Sequence, residues 1–552
     1  MTAPVVTLSR TTEEFRHTGT LIRSILHRDR IRILLWFHGF VIPIALATRA
    51  MGQMYPDPHS ESTMARAELM ATPTGQAFGG PGYGIFHYTL GAIMMNELLM
   101  STLVVISIMS LLLVVRWSRG EEETGRGELV GASSTGRSAP MAAALVMGFG
   151  LNLAIALGLV LGLLAHGLPL PGSLAFGFGA GLTGCFFIGV GAVTAQIFTT
   201  ARAASGAGMA ALGTFYLIRV AGDIGHAQQH PGGPAGSPLS WFSPFAWPNQ
   251  TRAFVELRLW PLAYPLVLAL ILATLAGYLL HRRDFGGGLV QPRPGQAQAK
   301  PSLASPLALS LRLEKGLFTA WAAGSAILGI SCGFIAVDSV FKELLDGNET
   351  LQKIWGQGTA SASATFFAIL LLYGAVFGAG FALSVMGRLR SNEERGLAEL
   401  QLSTTVSRQQ LVTTAALVGL VGGVIITTLC GAGLAVGGVP VNNASLWGLL
   451  GAALAFTPAL LVFVGLAAAL FGWAPRAMGL MWAYLLYAIV ARMFGDLFGL
   501  PTWAVKASVL AATPNAPADP VTFTPLVVMS LIGALLLATG YVGYRRRDIT
   551  VG

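Results

Sequence analysis

RGEEETGRGELVGASSTGR, residues 119–137, is a charged stretch in an otherwise apolar sequence, and RSNEERGLAELQLSTTVSR, residues 390–408, repeats it. The two copies align without a gap at an offset of 271 residues, and each lies between two long apolar runs. The positions shared by the copies include Glu122, Glu123, Gly125, Glu128, Leu129 and Arg137 in the first, and Glu393, Glu394, Gly396, Glu399, Leu400 and Arg408 in the second. We therefore predict a chain built from two copies of one unit. Residues 116–138 are called the first island below, and residues 387–410 the second island.

The composition is that of a polytopic membrane protein. Of the 552 residues, 54% are hydrophobic and only 11% are charged, and the mean hydropathy is +0.66, far from a soluble average. The net charge of +9 comes from arginines that cluster beside apolar runs, which is typical of a topology signal and not of a nucleic-acid-binding surface. Cys185, Cys332 and Cys430 lie inside apolar runs without ligand spacing, so we expect neither a disulfide framework nor a metal site.

Apolar runs long enough to cross a bilayer occur six times in each half of the chain. They cover about residues 33–51, 88–115, 139–165, 172–198, 204–224 and 261–280, and then 316–337, 362–387, 411–437, 446–472, 477–498 and 524–544. The sequence thus predicts an all-α polytopic membrane protein with about twelve transmembrane helices, in two tandem six-helix repeats of the same orientation. The predicted parts are a tail with an interfacial helix at 1–32, a first half at 33–285, a Gly/Pro/Gln/Ala-rich linker at 286–308 and a second half at 309–552.

Arginines near the ends of the runs predict the orientation. By the positive-inside rule, both termini, the linker and both islands face the cytoplasm. Residues 21–30 carry an apolar face edged by arginines, which predicts an interfacial helix lying on the cytoplasmic leaflet. The N-terminus lacks a cleavable apolar core, so no signal peptide is expected. On the outer side, the Pro-containing stretches 243–250 and 513–517 are expected to fold back toward the membrane.

The islands predict a docking surface better than they predict chemistry. They lack His and Cys, and no nucleophile lies near their carboxylates, so catalysis is not expected. Glutamates at the mouth of a span suit salt bridges with a soluble partner, and Leu129 and Leu400 offer apolar anchors beside them. The alternative is a merely solvated cytoplasmic loop. The repetition of Glu-x-Gly-x-x-Glu-Leu favours docking, because solvation alone does not require that pattern twice.

At these residues the chain resembles a known family. Residues 123–129 and 394–400 are similar to the E-x-G-x-x-E-L loop between the second and third spans of ABC-2-type exporter permeases. The duplicated form, with Arg-Arg-Asp closing each half, resembles actinobacterial permeases of the tetronasin and multidrug exporter type. The resemblance implies that each island forms a coupling helix inserted into a cleft of an ATP-binding subunit, with the interfacial helix as a second contact. It also implies one copy of this chain with two separate ATP-binding cassette subunits, and outward movement of hydrophobic or amphipathic drugs or antibiotics.

The source of energy is expected to lie on another polypeptide. The chain contains no G-x-x-x-x-G-K-[ST] loop, so ATP and Mg are expected on the partner subunit and no cofactor is expected on this chain. The alternative is an ion-driven secondary multidrug carrier, which also tolerates twelve spans but usually holds conspicuous ionisable residues near mid-membrane. A membrane enzyme would need an intramembrane catalytic constellation, which the sequence does not suggest.

The substrate path is predicted from the resemblance, which places the second and fifth spans of each half at the central cavity. The large adaptable side chains on those spans are Met94, Met95, Phe215, Tyr216, Phe366, Phe367, Trp482 and Tyr487, although such residues also serve lipid contact and helix packing.

Three charged features stand out in the same spans. Arg219 with Asp223, and Arg492 with Asp496, are i,i+4 pairs at outer span ends, suited either to an outer gate or to plain anchoring. Glu97 has no acidic counterpart, because the offset of 271 places Ala368 there. A lone carboxylate in an apolar span becomes protonated or finds a cationic partner. If Glu97 lies in the substrate path, it favours cationic amphiphiles; otherwise it is an interfacial side chain.

Overall fold

The computed structural model describes residues 13–71, 73–125, 127, 134–229, 237–291, 298, 303, 305–333, 362–442, 444–495 and 500–548. Most of these residues are helical and none forms a strand, which confirms the all-α prediction. The chain divides into two compact units, Met1–Pro294 and Gly295–Gly552.

The described part of the first unit contains eight long or medium-length helices, apart from short 3-10 turns. They are α1 (Thr18–Met54), α2 (Glu61–Ala71), α3 (Pro73–Gly79), α4 (Leu90–Glu123), α5 (Ala139–Leu164), α6 (Leu170–Ile197), α7 (Ala201–Gln229) and α8 (Trp260–His281). Helix α6 is central, because α4, α5, α7 and α8 all pack against it. Helices α2 and α3 lie in the predicted first outer loop.

The described part of the second unit contains nine helices. They are α9 (Pro306–Gly333), α10 (Ala362–Glu394), α11 (Leu397–Leu402), α12 (Arg408–Asn442), α13 (Leu446–Trp473), α14 (Leu480–Phe494), α15 (Thr502–Ala507), α16 (Val509–Ala512) and α17 (Phe523–Arg546). The pairs that pack most extensively are α13 with α17, α9 with α12 and α10 with α12. The first two match α6 with α8 and α1 with α5 in the first unit.

Nine helices in the described residues are long and apolar enough to cross a membrane: α1, α4, α5, α6, α8, α10, α12, α13 and α17. The other three predicted spans coincide with α7, α9 and α14, which are not among the nine. Helix α7 contains Arg202, Arg219 and Asp223, and α14 is apolar but shorter.

Burial separates inner helices from outer ones. In the most apolar window of α6, 72% of the residues are buried, whereas the values for α1 and α8 are 17%. Exposed side chains on α8, such as Leu266, Leu270 and Ile271, are apolar. A helix that is apolar on its exposed face is suited to lipid and not to water.

The predicted interfacial helix is not a separate element. Helix α1 runs without a break over 37 residues, about 55 Å at 1.5 Å per residue, which exceeds a hydrocarbon core of about 30 Å. Between Thr20 and His38 the sequence has neither Gly nor Pro, so nothing ends the helix at residue 30. Residues 21–30 therefore extend the first span beyond the membrane.

Helix α4 contains two π-helical turns, Met94–Leu98 and Arg116–Gly120. Such turns are rare and occur frequently at functional sites, because the extra residue re-aims the side chains around it. In α4 one turn carries Glu97 and the other carries Arg119.

The predicted fold-back at 243–250 packs deep in the first unit. The rings of Phe245 and Phe187 are 5.4 Å apart, and those of Trp247 and Phe186 are 5.8 Å apart. Both partners lie in the middle of α6, so the outer loop reaches into the helix bundle.

Candidate functional site

The first island is held by a buried arginine–glutamate–arginine cluster. Glu122 accepts hydrogen bonds from Arg119 (2.7 Å) and, through both oxygens, from Arg283 (2.5 and 3.0 Å). Arg119 also donates to the carbonyl of Ala195 in α6, and Arg283 donates to the side chain of Gln196. The exposed fraction of the side chain is 0% for Arg119 and 3% for Arg283. This bidentate geometry is the strong form of the ion pair, and it joins the island to α6 and to the end of α8.

The second island repeats the central contact. Glu393 accepts a 2.6 Å hydrogen bond from Arg547, just past the end of α17. Glu393 corresponds to Glu122 by sequence, and Arg547 corresponds to Arg283 in the Arg-Arg-Asp motif. In both units, therefore, an island carboxylate is paired with the arginine that follows the last helix.

The arginines that close the islands make matching backbone contacts. Arg137 donates to the carbonyls of Leu280 and Arg283, at 3.3 and 2.6 Å. Arg408 donates to the carbonyls of Tyr544 and Arg547, at 3.4 and 2.8 Å. The main-chain oxygens at the end of a helix lack intrahelical partners, so each arginine caps the last helix of its unit.

These contacts change the roles expected within the islands. Glu122, Glu393, Arg137 and Arg408 were predicted to face a soluble partner, but they are engaged within their own unit. The reason is that each lies opposite the charged end of a helix distant in sequence. They are positioning residues, which fix the islands to α8 and α17.

Other island residues remain accessible. Glu394 and Glu399 are exposed, and so is Leu400, with 67% of its surface accessible. Glu123 is exposed too, although one of its oxygens accepts a hydrogen bond from the Ala201 amide. Glu128 and Leu129 lie outside the described residues.

Glycines end the helices that carry the islands. Gly125 and Gly396 have φ angles of +72° and +71°, a left-handed conformation that residues with a side chain rarely adopt. After Gly396, the chain turns directly into α11, which carries Glu399 and Leu400. The shared glycine thus sets the direction in which the exposed part of the second island projects.

A cavity lies beside each island at the same end of the helices. The first, of about 350 Å³, is lined by α1, the first island and the end of α8; the second, of about 280 Å³, is lined by α9, the second island and the start of α12. Asp29 behind the first accepts a 2.8 Å hydrogen bond from Trp117, and Glu314 in the second accepts a 2.9 Å bond from Arg388. The repeat aligns Trp117 with Arg388, so two different donors fulfil one role.

A second cluster lies at the opposite end of α4. Arg66 on α2 pairs with both carboxylate oxygens of Glu97; its Nε is 2.6 Å from Oε1, and its Nη2 contacts Oε2. Tyr88 donates to the same carboxylate at 3.1 Å, and Arg66 donates to the Tyr55 hydroxyl at 2.9 Å. Of the two outcomes expected for Glu97, the structure contains the cationic partner. A lone negative charge, which would favour cationic amphiphiles, is therefore not present.

Arg66 and Tyr88 in this cluster keep their charge states near neutral pH. Burial lowers the pKa of Arg66, but the hydrogen bond and the charge of Glu97 outweigh it, so the pKa is raised above its usual value. Burial and the charge of Glu97 raise the pKa of Tyr88 well above its ordinary value. Arg66 therefore remains a cation and Tyr88 remains a hydrogen-bond donor.

The predicted pair of Arg219 and Asp223 forms, with 2.7 Å between Nε and Oδ2. It does more than neutralise one helix: Arg219 also donates to the carbonyl of Gln76 in α3, and Asp223 accepts a 2.6 Å bond from Ser240. Both side chains are buried. The pair thus clamps two predicted outer loops onto α7. Asp496, the predicted partner of Arg492, lies outside the described residues.

Asp223→Asn is expected to destabilise the purified chain by about 3–5 kcal/mol, because it removes the charge that neutralises buried Arg219. The measurement is the midpoint of thermal unfolding in detergent. The double variant Arg219→Gln/Asp223→Asn is expected to recover much of the loss. Glu256→Gln, on an exposed outer-loop pair, is the matched control and should have little effect. Wild-type stability of Asp223→Asn would contradict the clamp.

A cavity of about 640 Å³ lies between α4 and α7, below α2 and α3. Its lining brings together Glu97 and Tyr216, two of the predicted path residues, with Asn96, Met100 and Leu212. The volume is within the range of sites for drug-sized ligands. Of the structural features, this cavity agrees best with the predicted substrate path.

The other predicted path residues lie elsewhere. Met94 and Met95 are buried in the core of the first unit, and Phe215 packs edge-on against Phe186 at 5.9 Å. In the second unit, Phe367 is buried with Phe366 beside it, Trp482 is exposed, and the Tyr487 hydroxyl donates to the carbonyl of Ala504. Their positions are those of packing and surface groups.

Sequence reasoning missed Arg66 and Asp29. A signal for Arg66 existed in the length of the first outer loop. Before this loop the two copies align at an offset of 285 residues and after it at 271, so the loop is about fourteen residues longer in the first copy. Glu97 is unmatched in the same copy. Arg66 lies in the longer loop and Glu97 is the unmatched acid, so the sequence offered the two residues as a possible ion pair.

Comparison with known proteins extends over nearly the whole chain. Residues 303–545 match the family model described as multidrug efflux system permease Rv1217c, C-terminal domain. Over 540 residues the chain is 32% identical to the multidrug efflux system permease protein Rv1217c of Mycobacterium tuberculosis (strain ATCC 25618 / H37Rv), covering 96% of this chain and 95% of that protein. Coverage of this extent includes both units.

Proposed function

The chain belongs to the family of multidrug efflux permeases represented by Rv1217c, and on that premise we propose that it is the transmembrane subunit of an ATP-driven exporter of the ABC-2 type. In this proposal it is a multi-pass protein of the bacterial cytoplasmic membrane with twelve spans in two tandem repeats. Both termini and both islands face the cytoplasm. Two separate ATP-binding subunits dock there and hold ATP and Mg, and the chain moves hydrophobic or amphipathic drugs or antibiotics outward.

The observation that carries the proposal is the anchoring of both islands to the last helix of their unit. A solvated loop needs no buried ion pair, whereas a loop that transmits force has to be rigidly attached to the helices that it moves. The Glu122–Arg283 and Glu393–Arg547 pairs provide such an attachment at matching positions. They leave Glu394, Glu399 and Leu400 exposed for a partner.

An ion-driven carrier has less support from the same contacts. Glu97, Arg219 and Asp223 lie on candidate or predicted spans; Glu97 takes part in a partly buried ion pair, and Arg219 and Asp223 form a buried one. Side chains that carry protons or ions through a transporter have to change partners during the cycle. These three instead hold outer loops in place.

The docking surface is tested by Glu399→Lys combined with Leu400→Asp. Both changes lie on the exposed side of α11 and leave the first island intact, so we expect the co-purifying ATP-binding subunit to fall to about half of the wild-type amount without a change in thermal stability. Glu256→Lys, an equally exposed change in an outer loop, is the control. Retention of the subunit at wild-type level by the island variant would contradict docking at α11.

A further inference from the structure

We propose that the cavity between α4 and α7 binds uncharged amphiphilic molecules of drug size, and that Arg66 determines this preference by cancelling the charge of Glu97. The inference rests on the proposed function in so far as the ligand is also the exported compound. The binding itself is a property of this chain and needs no ATP-binding subunit.

The lining of the cavity is mostly apolar and carries one carboxylate. Met70, Phe78, Met100, Val104, Val105 and Leu212 supply most of the wall, with hydrogen-bonding groups from Asn96, Ser101 and Tyr216. Among the described lining residues, Glu97 is the one acid, and none is Lys or Arg. The net charge that a ligand experiences is therefore set by what happens to Glu97.

Arg66 neutralises the charge of Glu97 through a bidentate contact. The guanidinium contacts both carboxylate oxygens, and Tyr88 donates a third hydrogen bond. The side chains of Arg66 and Glu97 are only 18% and 8% exposed, so water screens the pair weakly and the attraction is strong. A cationic ligand would have to displace Arg66, and an anionic ligand would meet the carboxylate that lines the cavity. A neutral ligand meets neither cost.

The arginine comes from a roof over the cavity. Helices α2 and α3 contribute Met70, Phe78 and Gly79 to the lining. At the end of α3, a Cβ on Gly79 would lie 1.9 Å from the carbonyl oxygen of Asn96, so the backbones of α3 and α4 touch where glycine permits it. The π-helical turn Met94–Leu98 of α4 lies at this contact. Asn96 in that turn donates to the carbonyl of Tyr83 at 2.9 Å, which fixes the loop that follows the roof.

The Arg66–Glu97 pair and its surroundings have no counterpart in the described part of the second unit. The position of Glu97 is Ala368 in the second copy, and α10 is a regular α-helix over its whole length, Ala362–Glu394. The additional length of the first outer loop, the π-helical turn and the acid thus occur together in the first unit. Their coincidence indicates a specialised site and not an element required by the fold.

The test is binding of three probes of similar shape to the purified full-length chain in lipid nanodiscs, with empty nanodiscs subtracted. The probes are tetraphenylphosphonium, tetraphenylborate and neutral triphenylphosphine oxide. The wild type is expected to bind the neutral probe best. Arg66→Gln leaves a net negative charge and is expected to raise the affinity for the cation relative to the neutral probe at least about tenfold. Glu97→Gln is expected to raise relative affinity for the anion, and Arg66→Gln/Glu97→Gln to restore the wild-type order.

Arg258→Gln is the matched control, because it removes a charge from an exposed outer-loop arginine paired with Glu256. Its probe order should equal that of the wild type. The proposal is overturned if Arg66→Gln behaves like this control, if the wild type prefers the cation, or if the wild type binds none of the probes. Glu97→Gln and the double variant decide the question if Arg66→Gln does not fold. ATP plays no part, so a failure of the proposed ATP coupling would leave these results unchanged.

Discussion

Glu393→Lys is expected to destabilise the chain by about 3–5 kcal/mol, since it places a cation against Arg547 in a buried site. Glu393 is only 4% exposed, and its partner also lies over the rings of Phe471 and Tyr544. Removing one member of such a pair leaves an uncompensated charge with little access to water. We expect a lower midpoint of thermal unfolding and loss of the co-purifying ATP-binding subunit.

The neighbouring residue provides the control. Glu394 is 55% exposed and forms an i,i+4 pair with Arg390, so Glu394→Lys should change stability by no more than about 1 kcal/mol. The charge-swapped variant Glu393→Lys/Arg547→Glu should regain stability that Glu393→Lys lost. Equal stability of Glu393→Lys and Glu394→Lys would show that the pair does not anchor the second island.

The sequence predicted features that depend on local pattern. Hydropathy located all the helices that the structure shows as able to cross a membrane, and i,i+4 spacing found the pair of Arg219 and Asp223. Both signals are contained within one helix. The repeat of the islands was equally visible, because it needs only an alignment of the chain with itself.

Contacts between distant elements could not be predicted in the same way. Glu122 and Arg283 are 161 residues apart, and Arg66 and Glu97 are 31 apart. Which charges meet is decided by helix packing, which leaves no periodic trace in the sequence. The positive-inside rule accounts for the arginines that end each half. Their second role, as partners of the island glutamates, could therefore not be predicted from the sequence. The sequence predicts a shorter first span than α1, because polarity changes near residue 33 while the backbone remains helical from Thr18 to Met54.

Loss of ATP hydrolysis on the partner subunit is expected to abolish export altogether. The chain is proposed to contribute the path and the islands, and the partner to contribute the energy. A variant of the ATP-binding subunit that binds ATP without hydrolysing it should therefore assemble on both islands and still move no compound. The same variant would leave a carrier driven by an ion gradient fully active. Complete loss of export is therefore the result that separates the two mechanisms.

The most direct measurement is uptake of a fluorescent amphiphile into everted membrane vesicles that contain this chain and the ATP-binding subunit. We expect uptake that requires ATP, stops with orthovanadate and persists after a protonophore has dissipated the proton gradient. Uptake driven by a proton gradient without ATP, and stopped by the protonophore, would contradict it.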